Sequence, residues 1–124
     1  MPATVRSVAA LQGAYYLATG LWPIVGRRSF EAVTGRKRDY WLVQMVGLLA
    51  ASVAAGLLHG IRGGREPSPD MQTAALAAAF SFGAVDVVHA LRGRISPIYL
   101  ADALVEAELV RRWRLAAARE RVSR

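Results

Sequence analysis

Asp86 and His89 stand one helical turn apart, and so do Asp102 and Glu106 further along the chain. All four fall in or beside long apolar runs. On an insertion scale a central acid costs about 2.5–3.5 kcal/mol, whereas each Leu, Ile or Val returns only about 0.3–0.6. An ionisable residue inside a membrane segment is therefore a functional-site hypothesis by default. Two acids brought together in low dielectric cannot both ionise cheaply; one must take a proton, a cation or an arginine. The chemistry open to this set is the binding or transfer of a proton, a cation or a small polar ligand. Gln44 and Tyr99 are predicted to join it from neighbouring helices. The plainer alternative pairs Asp86 and Asp102 with Arg27, Arg28, Arg92 or Arg94, so that the acids only lock helices together.

A metal centre is less well supported. The set Asp86, His89, Asp102 and Glu106 resembles the ligand inventory of di-iron bundles, but those use Glu-x-x-His from two helices, and this chain offers a single Asp-x-x-His. His89 lies so near the end of its run that an interfacial hydrogen bond is expected, and His59 reads as a solvated or capping residue. With no cysteine, thiolate ligands, thiol nucleophiles and disulfides are excluded. Gly63-Gly64 lacks the lysine and the preceding strand of a phosphate loop. No cofactor and no catalytic constellation is implied, and a membrane enzyme, with only the acid cluster to do chemistry, is the weakest functional class.

The elements that must hold these residues are hydrophobic helices. Crossing a bilayer core takes roughly 20 apolar residues, and three runs suffice: about residues 8–25, 41–61 and 71–91. A fourth helix is predicted over 97–113, with Pro97 at its first position, followed by a basic helical extension over 111–124. Ser29 to Val33 forms a short amphipathic helix that Ser29 would cap and Gly35 would end, with Phe30 and Val33 dipping into lipid. Tyr16, Trp22, Tyr40, Trp41, Tyr99 and Trp113 are assigned to the aromatic belts.

The fourth helix decides the topology. The positive-inside rule favours three spans plus a surface helix, which would divide the basic residues thirteen to three; four spans divide them nine to seven. The helical wheel favours four. Asp102 and Glu106 lie about 40° apart on it, but Glu108, Arg111, Arg112 and Arg114 are scattered around the rest of the circumference, so a surface helix would have no consistent waterline. Matching polar faces are predicted on the first span (Gln12, Tyr16, Thr19, Pro23), the second (Gln44, Ala51, Ser52, Ala55, His59) and the third (Phe82, Asp86, His89). Small-residue ladders at Gly47, Ala51, Ala55 and at Ala75, Ala79, Gly83 would let helices approach closely.

Composition agrees with lipid. Of 124 residues 54% are hydrophobic, yet 20% are charged and the net charge is +7, which requires segregation into runs. All but one of the 16 basic residues are arginine, gathered in connectors and the C-terminal extension. Arg27, Arg28, Arg36, Lys37, Arg38, Arg111, Arg112 and Arg114 are expected at anionic headgroups, and nucleic acid is not expected as a partner. No cleavable signal peptide is expected.

The size and four-span plan are similar to those of small multidrug resistance transporters, whose first-span glutamate has no counterpart here. Double-barrelled fluoride channels share the size but not the motifs. The run Ser29-Phe-Glu-Ala-Val-Thr-Gly-Arg-Lys-Arg-Asp-Tyr-Trp-Leu-Val resembles a segment of small bacterial four-span membrane proteins with a DoxX-like plan, which implies the fold and supplies no activity.

The sequence thus predicts an all-α, integral membrane, up-down four-helix bundle forming one transmembrane domain over 1–124, with a short interfacial helix between spans 1 and 2. The expected location is a bacterial inner membrane, with both termini cytoplasmic. The bilayer is its first partner, and a second copy or a larger membrane complex the next. The near-even charge split would also suit dual topology.

Overall fold

The computed structural model describes residues 3–123, which form five α-helices and, among the described residues, no strand. Arg124, at the end of the predicted basic extension, lies outside the described residues.

The first helix, α1 (Val5–Val25), begins with a reciprocal cap. Thr4 Oγ1 accepts from the Ser7 backbone N–H at 3.1 Å, and Ser7 Oγ accepts from Thr4 N–H at 2.9 Å, which satisfies two donors the helix cannot. α2 (Arg27–Thr34) starts at Gly26 with no side-chain cap. Ser29, predicted to be that cap, instead lies inside the first turn and accepts from Trp22 Nε1 at 2.9 Å. Gly35 ends α2 as expected, with a φ of 94° that favours glycine. Phe30, predicted to face lipid, is buried between the rings of Trp22 and Tyr40 in edge-on contacts. The helix is laid on its neighbours by this aromatic stack, whereas Val33 remains exposed.

α3 (Tyr40–Gly60) and α4 (Pro69–Leu91) are the two helices long and apolar enough to cross a membrane. Ser68 caps α4 by accepting from Met71 N–H, and Pro69 takes the first turn, where its missing N–H costs nothing. α5 (Tyr99–Ser123) starts two residues later than predicted. Pro97 sits in a lead-in turn, its carbonyl accepting from Leu100 N–H at 2.9 Å.

The helices run alternately up and down. α1 pairs closely with α3, and α4 with α5; lighter contacts join α1 to α5 and α3 to α4. Glycine sets the first pairing. A Cβ on Gly20 would collide with the backbone carbonyl of Gly47, and a Cβ on Gly47 with that of Gly20, so the two backbones touch where side chains normally intervene. This contact fixes the rotation of α3, which buries Gly47, Ala50, Ala54 and Leu57. The predicted polar face of α3 is thereby corrected: Gln44, Ser52, Ala55 and His59 are exposed, and the ladder runs through Ala50 and Ala54. The ladder predicted on α4 is present, with Ala75 and Ala79 fully buried and Gly83 against Glu106 Cβ.

The basic extension of α5 keeps one side against the bundle while its arginines Arg111, Arg114, Arg119 and Arg121 are exposed. Trp113 and Ala116 pack with Val5, Val8, Ala9, Leu57 and Ala75 in one buried cluster. Tyr16 packs with Ala50, Ala54, Ala79 and Leu109 in a second. Tyr16 and Trp113 are thus core residues, not belt residues; each carries a polar atom that the interior can use.

Large aliphatic and aromatic side chains lie outside instead. Trp41 is 60% exposed, Leu49 62% and Phe80 67%, among many others on α1, α3 and α4. Ser52, on this outer surface, donates to the Leu48 carbonyl of its own helix, so it presents no free hydroxyl hydrogen. So many large apolar side chains on the outside are unusual for a water-soluble bundle, while the interior combines two apolar clusters with buried Gln12, Asp86 and Glu106.

Candidate functional site

Three acids from two helices meet in the interior. α4 contributes Asp86, 7% exposed; α5 contributes Glu106, 2% exposed, and the half-buried Asp102. The carboxyl groups of Asp86 and Glu106 both lie close enough to that of Asp102 to feel its charge. The predicted convergence of Asp86, Asp102 and Glu106 is therefore present, because the short turn at 92–98 folds α5 back along α4 and the closest helix pairing in that half brings the two stripes together.

α1 supplies the hydrogen-bond donors. Tyr15 Oη donates to Asp102 Oδ1 at 2.5 Å, and Tyr16 Oη donates to Glu106 Oε1 at 2.7 Å. Adjacent residues on a helix point about 100° apart, so two consecutive tyrosines can reach two acids one turn apart on a facing helix. Tyr16 also packs on Phe82, with ring centroids 5.6 Å apart, which closes the cluster toward α4. Tyr15 was not singled out from the sequence. The available signal was its position: a phenol in mid-helix among apolar residues needs a polar partner for its hydroxyl.

One atom is left without a donor. Asp86 Oδ2 is buried and receives no hydrogen bond from any donor, an unusual state for a polar atom. The ion pairs found among the described residues are Arg27–Glu31, Arg111–Glu108 and Arg112–Glu108. None reaches Asp86, Asp102 or Glu106, so the expected pairing of Asp86 and Asp102 with Arg27, Arg28, Arg92 or Arg94 is not formed. Neighbouring buried carboxyl groups free of basic partners repel each other unless at least one of them is protonated.

The remaining candidates fall outside this cluster. His89 is half-buried and faces the turn, where Arg94 Nη1 lies 3.4 Å from its Nδ1; arginine can only donate, so that nitrogen accepts. A hydrogen bond near the end of its helix is thus present at His89. Gln44 is exposed on α3, turned away by the Gly20–Gly47 contact. Tyr99 lies under Lys37, whose Nζ is 4.8 Å from the ring centroid. Among the described residues, no three His, Asp or Glu side chains are placed to hold a metal ion.

The basic residues expected at a membrane interface divide in two. Near α2, Arg27 pairs with Glu31 and lies over the Tyr40 ring at 4.1 Å, while Lys37 Nζ donates to the Thr34 carbonyl at 2.8 Å; Arg28, Arg36 and Arg38 are exposed. Glu31 also accepts from the Lys37 backbone N–H at 2.8 Å, and this bond, followed by that from Arg27, holds its carboxyl below the usual glutamate range. On α5, Arg111 and Arg112 both clasp Glu108, and Arg114 is exposed.

A second buried polar unit lies nearer the termini. Gln12 donates through Nε2 to the Ala75 carbonyl at 2.9 Å and accepts from Trp113 Nε1 at 2.6 Å. One amide thus joins α1, α4 and α5.

No protein family, curated protein or solved structure matches the chain, so the functional reading rests on the geometry of the acid cluster.

Proposed function

We propose that the chain is a multi-pass membrane protein, a four-helix bundle of α1, α3, α4 and α5, that binds a proton at Asp86, Asp102 and Glu106 and passes it along that cluster. The observation that carries this reading is the buried, donor-less Oδ2 of Asp86 beside two further acids with no basic residue among them. A charged or proton-sharing interior is retained in lipid where it has work to do. Asp86 is the binding residue, Asp102 its partner, and Tyr15 and Tyr16 hold Asp102 and Glu106 in place. Asp102, half-buried and near the start of α5, gives the cluster its way out toward the α2 end of the bundle. The aliphatic exterior of α3 and α4 supports the membrane setting.

The test is reconstitution into vesicles with an internal pH dye and an imposed potassium gradient. Wild type is expected to conduct protons, and Asp86→Asn to abolish this at unchanged yield. Unchanged flux in Asp86→Asn would overturn the reading.

A second reading has its own observation. The tyrosine–acid hydrogen bonds tie α1 to α5, so the cluster would serve only to hold an accessory membrane subunit together. On that reading Asp86→Asn lowers thermal stability and a larger partner co-purifies, with no flux in wild type.

A further inference from the structure

Charge along the outer face of α5 follows depth. The innermost basic residues, Arg111 and Arg112, are neutralised by Glu108 at 2.6 and 2.9 Å. Further out, Arg114, Arg119 and Arg121 make no ion pair and no side-chain hydrogen bond among the described residues. The other side of the same helix is pinned in the core by Leu109, Trp113 and Ala116, so these arginines are held on a rigid element.

Their level in the bundle can be read from neighbours. Trp113 packs beside Val5, Val8 and Ala9 of α1, and Leu115, Ala118, Arg119 and Val122 line an open surface depression together with Ala3, just before α1 begins. Arg114 therefore lies inside the end of the bundle and Arg121 outside it, about 10.5 Å apart along the helix. A headgroup layer is roughly 5–8 Å deep on each side of the hydrocarbon, and the pair brackets it.

Between them is a surface cavity of about 400 Å³, lined by Arg114, Ala117, Glu120 and Arg121. Arg114 and Arg121 are two turns apart on nearly the same face, and Ala117 between them leaves room. Guanidinium groups suit phosphate oxygens. Glu120, in the same cavity, would repel a purely anionic ligand but complements one that also carries an ammonium group. Phosphate beside a primary ammonium is the headgroup of an aminophospholipid.

We propose that the α5 cavity binds the phosphoethanolamine headgroup of a membrane lipid, Arg114 and Arg121 holding the phosphate and Glu120 the ammonium. The inference rests on the membrane reading but not on the acid cluster. A quaternary headgroup has no N–H to give Glu120, and a glycerol headgroup has no positive charge, so both are selected against.

The test uses purified full-length protein and native mass spectrometry with equal phosphatidylethanolamine, phosphatidylcholine and phosphatidylglycerol. Wild type is expected to retain phosphatidylethanolamine over the other two by about tenfold, the scale of one lost charge-assisted contact. Arg114→Gln with Arg121→Gln should remove retention of all three, and Arg114→Lys with Arg121→Lys should keep most of it. Glu120→Gln should move the preference to phosphatidylglycerol. Equal retention of the three lipids by wild type, or unchanged retention by the double glutamine variant, would overturn the proposal. Full displacement by millimolar inorganic phosphate would also overturn it and reassign the cavity to free anions. Alkaline carbonate extraction separates the two levels of failure: release of the chain from membranes defeats the membrane reading itself, while a chain that stays embedded without lipid preference defeats only the headgroup site.

Discussion

Tyr16 and Glu106 are joined by a 2.7 Å hydrogen bond in which the phenol donates to Oε1, and both side chains are almost wholly buried, at 1% and 2% exposure. Few pairs in the molecule are so poorly placed to find a substitute partner. Removing the hydroxyl leaves Glu106 buried with a donor missing, which costs about 1–3 kcal/mol. Tyr16→Phe is expected to lower the midpoint of thermal unfolding in detergent accordingly. Adding Glu106→Leu should restore part of the loss, because replacing both partners leaves nothing unpaired. A double variant less stable than Tyr16→Phe alone would show that Glu106 is held by something other than Tyr16.

The α1–α3 contact makes a prediction about register. Ala54 is fully buried against α1, and Ala55 next to it is exposed. Ala54→Val overpacks a tight interface and should cost about 1–3 kcal/mol, whereas Ala55→Val should be close to neutral. Thermal unfolding of the two variants checks this; equal effects would mean that α3 is rotated from the position the Gly20–Gly47 contact gives it.

The helices were legible from hydrophobic runs, turns and prolines, and so was the meeting of Asp86 with Asp102, because a short turn forces α5 back along α4. The rotation of α3 was not. Gln44, Ser52 and His59 looked like a polar face, but the determinant was the mutual approach of Gly20 and Gly47 from different helices, a long-range fact that the local pattern does not carry. Tyr16 and Trp113 were misassigned for a related reason. An aromatic residue with a polar atom suits a membrane interface and a buried hydrogen bond equally well, and only the facing Glu106 and Gln12 decide between them. The acids were expected to seek arginine, since the chain has so many. The tyrosines of α1 lie closer, and no arginine is paired with an acid of the cluster among the described residues.

Trp113 offers an optical handle on the second polar unit. Its indole N–H is bound to Gln12 Oε1 in the core, whereas Trp41 is largely exposed. In Trp41→Phe the emission should shift to the blue, as the exposed indole is lost and the less exposed Trp22 and Trp113 are retained. Trp113→Phe should shift emission to the red and destabilise by about 1–3 kcal/mol, since Gln12 Oε1 loses its donor. Gln12→Leu combined with Trp113→Phe should be milder than Trp113→Phe, unless the freed Ala75 carbonyl costs as much as the amide did.

Acid should loosen the α2 end before the core. Glu31 accepts from the Lys37 backbone N–H and from Arg27, and both bonds favour its charged form, the backbone bond more strongly, so its pKa in the folded chain lies below the ordinary value of 4.5. A depressed carboxylate pKa contributes stability that is fully present above the unfolded value and is lost as pH falls through the folded one. Amide hydrogen exchange at Lys37 should therefore be slow at neutral pH, after allowance for the intrinsic rate, and its protection should fall below about pH 4.5. Glu31→Gln should abolish that pH dependence, since a neutral amide does not titrate, and should leave Lys37 weakly protected throughout. Protection already lost above about pH 4.5 in wild type, or a fall that survives in Glu31→Gln, would place the titrating group elsewhere. The same loosening frees the Lys37 side chain from Thr34 and from the ring of Tyr99, one turn before Asp102. Any ligand entering the acid cluster from that end should then gain access more readily in acid than at neutrality.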